Sequence, residues 1–474
     1  MKTKVIIRAD GNSNIGLGHT IRCLALADML KQDFNCILAT RYLTGYIQAE
    51  ANKAGIDIIK LPQSEEHFEV FLSILSGDEI VVLDNYFFSS EYQSSIKEKG
   101  CKLVCIDDIH HEHFVADVVI NHAGGIDRKL YSTALYTFLY TGPDYVLLRP
   151  EFLSYKGKKG KSMLVSMGGA DPKNDTLKVL RLLEEKKIPG LCYVIVGDAF
   201  LYQSELEGFC RHSGLNLEVK KNLSAKEMAD IMLDCQYAIC PPSTVSYEYL
   251  SLSGGELYVN VIADNQCDMY RFFLENKIAF DVRDLFITDK TAISDSLRSQ
   301  RTFFDGQSKS RILSIFHSLR RERETHLRAA IMDDIDLYYQ WANDPEARKN
   351  AFLSSDDIPY KDHCKWFNDK LISHNTYLWV LERKGIPLGH IRFDIDRESK
   401  YATISYFIDK RYRNSGWGLS IVKLGLEKLG RLEDNITVDA IVKRTNIGSI
   451  RIFERLNFMK TDHSGHTDFI KYIK

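Results

Sequence analysis

Three turns rich in glycine and hydroxyl side chains, each following an apolar run, carry residue types able to hold a phosphate or move a proton. The first reads Arg8-Ala-Asp10-Gly-Asn-Ser-Asn-Ile-Gly16-Leu-Gly18-His19. Gly16 and Gly18 let the backbone approach a ligand, but Ile21 stands where a GxGxxG fingerprint needs its last glycine, which disfavours NAD. What remains is one histidine at the start of a helix, where the positive end of the helix dipole disfavours imidazolium and leaves the ring able to act as a base. His19 is therefore the first catalytic candidate, and a capping or packed histidine is the alternative. The second turn, Ser166-Met-Gly168-Gly169-Ala-Asp171-Pro172, precedes a helix containing Leu177, Leu180 and Leu183. Free amides at that helix start are expected to hold phosphate. The third, Pro241-Pro-Ser243-Thr244-Val-Ser-Tyr-Glu248, offers two hydroxyls at a helix start and a carboxylate one turn in, suited to ribose hydroxyls. A plain N-cap with an acidic first turn reads the same.

A different constellation stands near the C-terminus. Lys410-Arg411-Tyr-Arg413-Asn414-Ser415-Gly416-Trp417-Gly418 joins basic charge, close backbone approach and a helix start, the requirements of a pyrophosphate site. An Arg-rich loop with a glycine turn is the plain alternative. His110-His-Glu-His113 is not read as a metal cluster, because ligands in successive positions point apart, and the ten cysteines form no paired CxxC spacing. No metal is expected. Asp107 and Asp108 end a strand and are left out of the catalytic set.

The elements that must position these residues fall into two patterns. From residue 1 to about 320 short apolar runs alternate with helical periodicity, the pattern of βαβ units and buried parallel sheets. Strands are expected at Lys4–Arg8, Cys36–Ala39, Glu79–Leu83 and Lys102–Ile106. After a basic linker at Lys156–Lys161 they are expected at Met163–Ser166, Cys192–Val196, Leu217–Val219, Tyr237–Ile239 and Leu257–Val261. Beyond the charged run Arg320–Glu324 an antiparallel meander replaces the alternation, so the boundaries expected are 1–155, 156–322 and 323–474. With 474 residues, more than one core is required. Lys+Arg 62 against Asp+Glu 64, a net charge of −2, excludes a global basic field for nucleic acid or anionic membrane. No apolar run of about 18 residues spans a bilayer, and the N-terminus lacks the pattern of an export signal, so the expected compartment is the cytoplasm.

The run Asp10 to His19, with Asp84-Asn-Tyr86, Asp107-Asp108, Gly142, Tyr145, Arg149, Met167 to Asp171, Ser243-Thr244, Glu248 and Asn265-Gln266, resembles the UDP-2,4-diacetamido-2,4,6-trideoxy-β-L-altropyranose hydrolases of pseudaminic acid biosynthesis. The resemblance covers about residues 1 to 320 and implies two Rossmann-like domains in a glycosyltransferase-B-like arrangement. It further implies metal-free, inverting hydrolysis of the anomeric C–O bond. In that reading His19 activates or positions water, and Asp10, Tyr86 and Asn265 shape the sugar site. Gly16, Gly18, Gly168, Gly169, Ser243, Thr244, Glu248 and Gln266 bind the nucleotide-sugar substrate.

The loop at residues 413–418, together with Asn446-Ile-Gly-Ser449 and the helix through Phe453 and Phe458, resembles the GCN5-related N-acetyltransferases, and the upstream stretch Trp341-Ala-Asn-Asp344-Pro-Glu-Ala-Arg348-Lys-Asn350-Ala-Phe352 resembles the branch acting on nucleotide amino sugars. That family implies an α+β domain and acetyl-CoA as cosubstrate, held by Ile408, Arg413, Asn414, Ser415, Gly416, Trp417, Gly418, Asn446 and Ser449. Many members carry Tyr where Phe453 stands, and that phenol protonates the leaving thiolate; here the general acid is unassigned. His390 is either the base for the amine or a core histidine, and Trp341 is expected in the core. Acetylation of a UDP-4-amino sugar and removal of UDP from the product are consecutive reactions, so one chain is expected to perform both. The alternatives are an inverting UDP-sugar glycosyltransferase, which shares the fold, and a nucleotide-sugar-binding scaffold with a degenerate acetyltransferase domain.

Overall fold

The computed structural model describes residues 2–11, 17–134, 136–154, 156–157, 160–169, 171–197, 199–252, 254–285, 290–350, 352 and 356–473. The chain forms two compact units, one of residues 1–132 with 139–315 and the other of 133–138 with 316–474.

The first unit holds two large sheets, beside a two-stranded ribbon of His113–Phe114 with Ser132–Thr133. In the first sheet β1 (Lys4–Ala9), β2 (Asn35–Thr40), β3 (Asp57–Lys60), β4 (Ile80–Asp84), β5 (Lys102–Ile106), β6 (Val118–Asn121) and β7 (Phe138–Thr141) lie in the order β3-β2-β1-β4-β5-β6-β7. The second has β8 (Ser162–Val165), β9 (Leu191–Val196), β10 (Asn216–Lys221), β11 (Cys235–Cys240), β12 (Glu256–Val259) and β13 (Phe280–Asp281) in the order β10-β9-β8-β11-β12-β13. Pairing from β3 across to β6, and throughout the second sheet, is parallel. Continuous apolar runs such as Val5-Ile6-Ile7 and Ile80-Val81-Val82 are fully buried, as a parallel sheet covered on both faces requires. In both sheets the strand order reverses beside the opening strand, between β1 and β4 and between β8 and β11. Ligands bind at the carboxyl ends of such reversal points.

Three helices start there: α1 (Gly18–Leu30) after β1, α2 (Asp175–Glu185) after β8 and α3 (Thr244–Leu252) after β11. Of the expected linker 156–161, residues 158 and 159 lie outside the described set, while the Lys156 amide donates to Leu252 O at 2.7 Å. The segment between β6 and β8 is fastened to α3 and the helix at Cys267–Glu275. The Gly124 amide donates to the Tyr247 hydroxyl at 2.8 Å, and a Cβ on Gly124 would collide with the Phe272 ring.

The second unit has one mixed sheet of β14 (Thr325–Ala329), β15 (Thr376–Arg383), β16 (Ile386–Asp396), β17 (Tyr401–Ile408), β18 (Ile436–Lys443), β19 (Met459–Asp462) and β20 (His466–Ile473), in the order β14-β15-β16-β17-β18-β20-β19. The helix α4 (Ser308–Arg323) leads into it, and α5 (Ile335–Ala342), α6 (Trp417–Gly430) and α7 (Ile447–Arg455) accompany it. Near the end of α4, the buried Glu322 meets the fully buried Lys423 of α6 at 2.9 Å, with the Phe138 ring 5.1 Å from the ammonium. Strands β17 and β18 pair only at Tyr401–Thr403 against Thr437–Asp439 and separate beyond, opening a wedge toward their carboxyl ends. Among the described residues no helix is long and apolar enough to cross a membrane.

Candidate functional site

His19 is the second residue of α1 and is 8% exposed. Its Nδ1 lies 2.7 Å from Asp84 Oδ1, at the carboxyl end of β4. Arg22 NH2 also lies 3.0 Å from Nδ1, but the nearer carboxylate only accepts and favours the proton on Nδ1, which leaves Nε2 with its lone pair. No described residue bonds Nε2, so it is available to water. Asp84 is fully buried between His19 and Arg22, whose Nε and NH2 donate to it at 2.6 and 2.5 Å. Burial alone would raise its pKa, but the Arg22 guanidinium and the His19 ring outweigh burial and hold it down to about 2. Asp84 is therefore a fixed anion that orients the imidazole. Arg22 NH1 continues to Asp108 Oδ2 at 3.1 Å, which brings a residue excluded from the expected set into the cluster.

Tyr86, 42% exposed, presents its ring edge-on to His19 with centroids 4.8 Å apart. Burial of its hydroxyl and the Asp108 charge push the phenol pKa up, so it stays protonated and can donate. Asp10, expected to shape the sugar site, is instead fully buried beneath it. Arg8 donates to its two oxygens at 2.7 and 2.9 Å, and the Arg41 amide and Nε at 2.8 and 2.6 Å. No lone pair is left for a sugar; Asp10 positions Arg41 and, through the Asp10 amide bonded to Asn85 Oδ1, the end of β4. Gly16 lies outside the described residues. Gly18 opens α1 with free space where a Cβ would stand.

His122, which the sequence reading passed over, ends β6 in the same cluster. It is buried, with Nδ1 lacking a partner and its ring centroid 6.0 Å from that of Tyr247. Burial and the nearby Arg22 pull its pKa down to about 4, which keeps it neutral. The sequence signal was a strand end running into Gly124-Gly125, the same pattern that singled out His19. Through Tyr247, the cluster reaches the helix that starts with Ser243 and Thr244.

On the second sheet, Gly168 has φ +81° and open space at the Cβ position, so the backbone is bare after β8. Gly169 O accepts from the Gly197 amide at 3.1 Å. The α2 amides expected to be free are not. Asp171 accepts from Asp175 N and Thr176 N, both at 2.8 Å, because a buried carboxylate at a helix start takes the donors nearest to it. The open amides are those of Ser243, Thr244 and Val245 at the start of α3, which meet no acceptor among the described residues. Glu248, buried one turn in, takes Arg149 Nε and NH2 at 3.0 and 2.7 Å on Oε1 alone, leaving Oε2 free of described partners. Burial raises its pKa against the opposing pull of Arg149. Gln266 turns its side-chain oxygen to the Ile262 amide, and Asn265 sits in the turn Asp264–Gln266, its side chain outside the described set. The surface depression lined by Lys2, Lys4, Phe34 and Ile56 lies at the amino ends of β1 and β2 and has no part in the site.

In the second unit, Ile408 ends β17, and the loop at residues 409–416 reaches α6 with Asn414 and Gly416 both at positive φ. Arg413, expected at the pyrophosphate, pairs instead with Asp344 at 2.6 Å and Glu346 at 2.7 Å, while its Nε donates to Ile408 O at 3.0 Å. Two carboxylates within reach outcompete an open loop for a guanidinium. The cation beside the loop is Arg321, which donates to Ser415 O at 2.7 Å and lies 5.7 Å from the Trp417 ring. Gly418 packs against Ile452 of α7, and Asn446 caps α7 by accepting from the Ser449 amide at 3.1 Å.

Phe453 is buried against Phe458 and Phe469, so no proton donor stands there. Tyr406, on the separated part of β17, lies edge-on to Phe453 with centroids 6.1 Å apart, and its hydroxyl is 2.8 Å from Ser449 Oγ. Burial pushes this phenol up to about 12, which keeps it protonated. His390 is enclosed by Tyr338, Trp341 and Phe407; burial and Arg392 pull its pKa down to about 3, and its Nδ1 has no partner. Trp341 is a core residue, as expected, with its indole N–H on Asp409 at 3.0 Å.

Residues 325–459 match the model of the acetyltransferase (GNAT) domain. An uncharacterized protein of Methanocaldococcus jannaschii is 22% identical over 98% of this chain and 99% of its own length. A spore coat polysaccharide biosynthesis protein of Bacillus subtilis is 26% identical over 58% of this chain and 82% of its own. The UDP-2,4-diacetamido-2,4,6-trideoxy-β-L-altropyranose hydrolase of Campylobacter jejuni is 30% identical over 39% of this chain and 67% of its own. The chain belongs to this hydrolase family. To its hydrolase-related part is joined a C-terminal GNAT domain, whose fold is that of the second unit. In the GNAT domain, β17 and β18 part beyond Thr403 and Asp439, and the loop before α6 carries Asn414 and Gly416 at positive φ.

Proposed function

We propose that the chain is a bifunctional enzyme of pseudaminic acid precursor synthesis, which transfers acetyl from acetyl-CoA to the amine of a UDP-4-amino sugar and then hydrolyses UDP from the diacetamido-trideoxy-altrose product. The observation that carries the hydrolytic half is the orientation of His19: Nδ1 on a buried anion and Nε2 open. In this reading the two sheets of the first unit act as the lobes of a glycosyltransferase-B-like pair. His19 Nε2 takes a proton from water, the water oxygen bonds to the anomeric carbon with inversion, and the C–O bond breaks with its electron pair leaving on UDP. The α3 amides and the bare backbone at Gly168 stabilise the diphosphate, and Glu248 Oε2 accepts ribose hydroxyls. No metal enters this step.

In the GNAT domain the amine attacks the thioester carbonyl, the C–S bond breaks, and the thiolate is protonated by Ser449 and Tyr406 acting as a hydrogen-bonded pair. His390, enclosed by Tyr338, Trp341 and Phe407 with its pKa pulled down, is too weak a base to keep the amine proton, which passes to water. Tyr406→Phe is expected to lower kcat for acetyl transfer by about 10²-fold with KM for acetyl-CoA near unchanged, since only proton delivery is removed; a shift in KM alone would assign Tyr406 to binding.

The deciding experiment is mass spectrometry of products from UDP-4-amino-4,6-dideoxy-N-acetyl-β-L-altrosamine with acetyl-CoA. The expected result is a gain of one acetyl group followed by loss of UDP in water alone. Acetyl gain without UDP loss leaves only the transferase, and UDP loss that requires an added sugar acceptor turns the first unit into a glycosyltransferase.

A further inference from the structure

The hairpin of β19 and β20 carries a ligand set that neither reaction uses. His463 Nε2 lies 3.0 Å from Asp468 Oδ2, and His466 Nε2 lies 3.4 Å from Asp468 Oδ1. The ligand atoms of all three residues lie within 4.8 Å of one another, and among the described residues no other such cluster of three occurs. The two imidazole rings are stacked at 4.8 Å and 19°. Both backbones are fixed, because His463 N donates to His466 O at 2.9 Å across the turn, while His466 is in register with Lys443 of β18.

Two features separate this cluster from an ordinary surface ion pair. The two rings stack while both Nε2 atoms are turned to the two oxygens of one carboxylate, so three ligand atoms converge on one point. Donors about 2.0–2.1 Å from a shared ion stand roughly 3.0–3.4 Å apart, the spacing found between each ring and Asp468. In addition, Asp468 Oδ1 is a buried atom with no hydrogen bond, and the charge of Asp468 adds to the burial that raises the pKa of Asp439 on the neighbouring strand.

We infer that His463, His466 and Asp468 form a binding site for one first-row divalent cation of the zinc, cobalt or nickel type. Two imidazoles and one carboxylate select such borderline ions over magnesium or calcium, and they leave at least one coordination position for water.

The test uses the full chain without a polyhistidine tag, stripped with chelator and titrated with Co²⁺. The expected result is one Co²⁺ per chain with a visible d–d band, displaced by Zn²⁺. His463→Gln and His466→Gln should each weaken binding by at least about tenfold, and Asp468→Asn should do the same. Circular dichroism melts of the metal-free variants should match the metal-free parent, since His463 and His466 project from a hairpin end. Absence of the band at millimolar Co²⁺ overturns the inference, as does a band that survives both histidine changes. A band lost only on changing His111 would place the ion in the run at residues 110–113.

Discussion

Release of UDP from the diacetamido substrate is expected to fall by about 10²–10⁴-fold in His19→Ala, the range spanned by loss of a positioned general base. Acetyl transfer by the same preparation should be unchanged. The companion variant Asp84→Asn tests the orientation argument. Asparagine keeps the volume but offers an N–H as readily as a carbonyl, so the Nδ1-protonated tautomer is no longer enforced, and Arg22 loses the anion to which it donates twice. A rate loss approaching that of His19→Ala is expected, with the melting profile checked because the buried Arg22 would keep only its contact with Asp108 as an ion pair. Measurement of UDP by chromatography decides the matter: a His19→Ala enzyme that keeps its rate removes the imidazole from the reaction.

Gly416→Asp is expected to weaken acetyl-CoA binding by about 100-fold or more while leaving hydrolysis of a supplied diacetamido substrate intact. Gly416 has φ +86°, a conformation that costs a residue with a Cβ about 1 kcal/mol or more, and the new Cβ would stand 3.4 Å from Arg321 NH2. The added carboxylate would then face the donor diphosphate at the start of α6, where negative charge repels it. Calorimetric titration with CoA reads the loss directly. Unchanged affinity would move the donor away from the loop at residues 413–418.

Much of the scaffold was legible because its signals are local. The opening strand, expected at Lys4–Arg8, runs Lys4–Ala9, and the antiparallel meander expected beyond Arg320–Glu324 is present as Thr376–Arg383, Ile386–Asp396 and Tyr401–Ile408. Glycine turns after apolar runs correctly located the strand ends that surround His19, Gly168 and Ser243. What could not be read was the choice of partner for each charge. Asp10 stands beside a turn in the sequence, yet Arg8 two residues before it and Arg41 thirty-one after it converge on it only once β1 and β2 pair. Arg413 has the residue type of a phosphate ligand, but Asp344 and Glu346 come from a distant helix and claim it. Phe453 marks a missing phenol, and its replacement, Tyr406, comes from the neighbouring strand. His122 carried a signal in its strand end and glycines, but its neutrality depends on burial that no local pattern encodes.

The contact between Glu322 and Lys423 sets a limit on where the GNAT domain can be cut from the rest of the chain. A transferase fragment begun at residue 323, where composition changes, would omit the carboxylate that the buried Lys423 ammonium meets at 2.9 Å, and removing one partner of a buried pair is expected to lower the melting temperature of the fragment. Any autonomous version must carry the end of α4 with it. The end of this helix thus belongs with the GNAT domain, and a boundary between the two units falls upstream of Glu322.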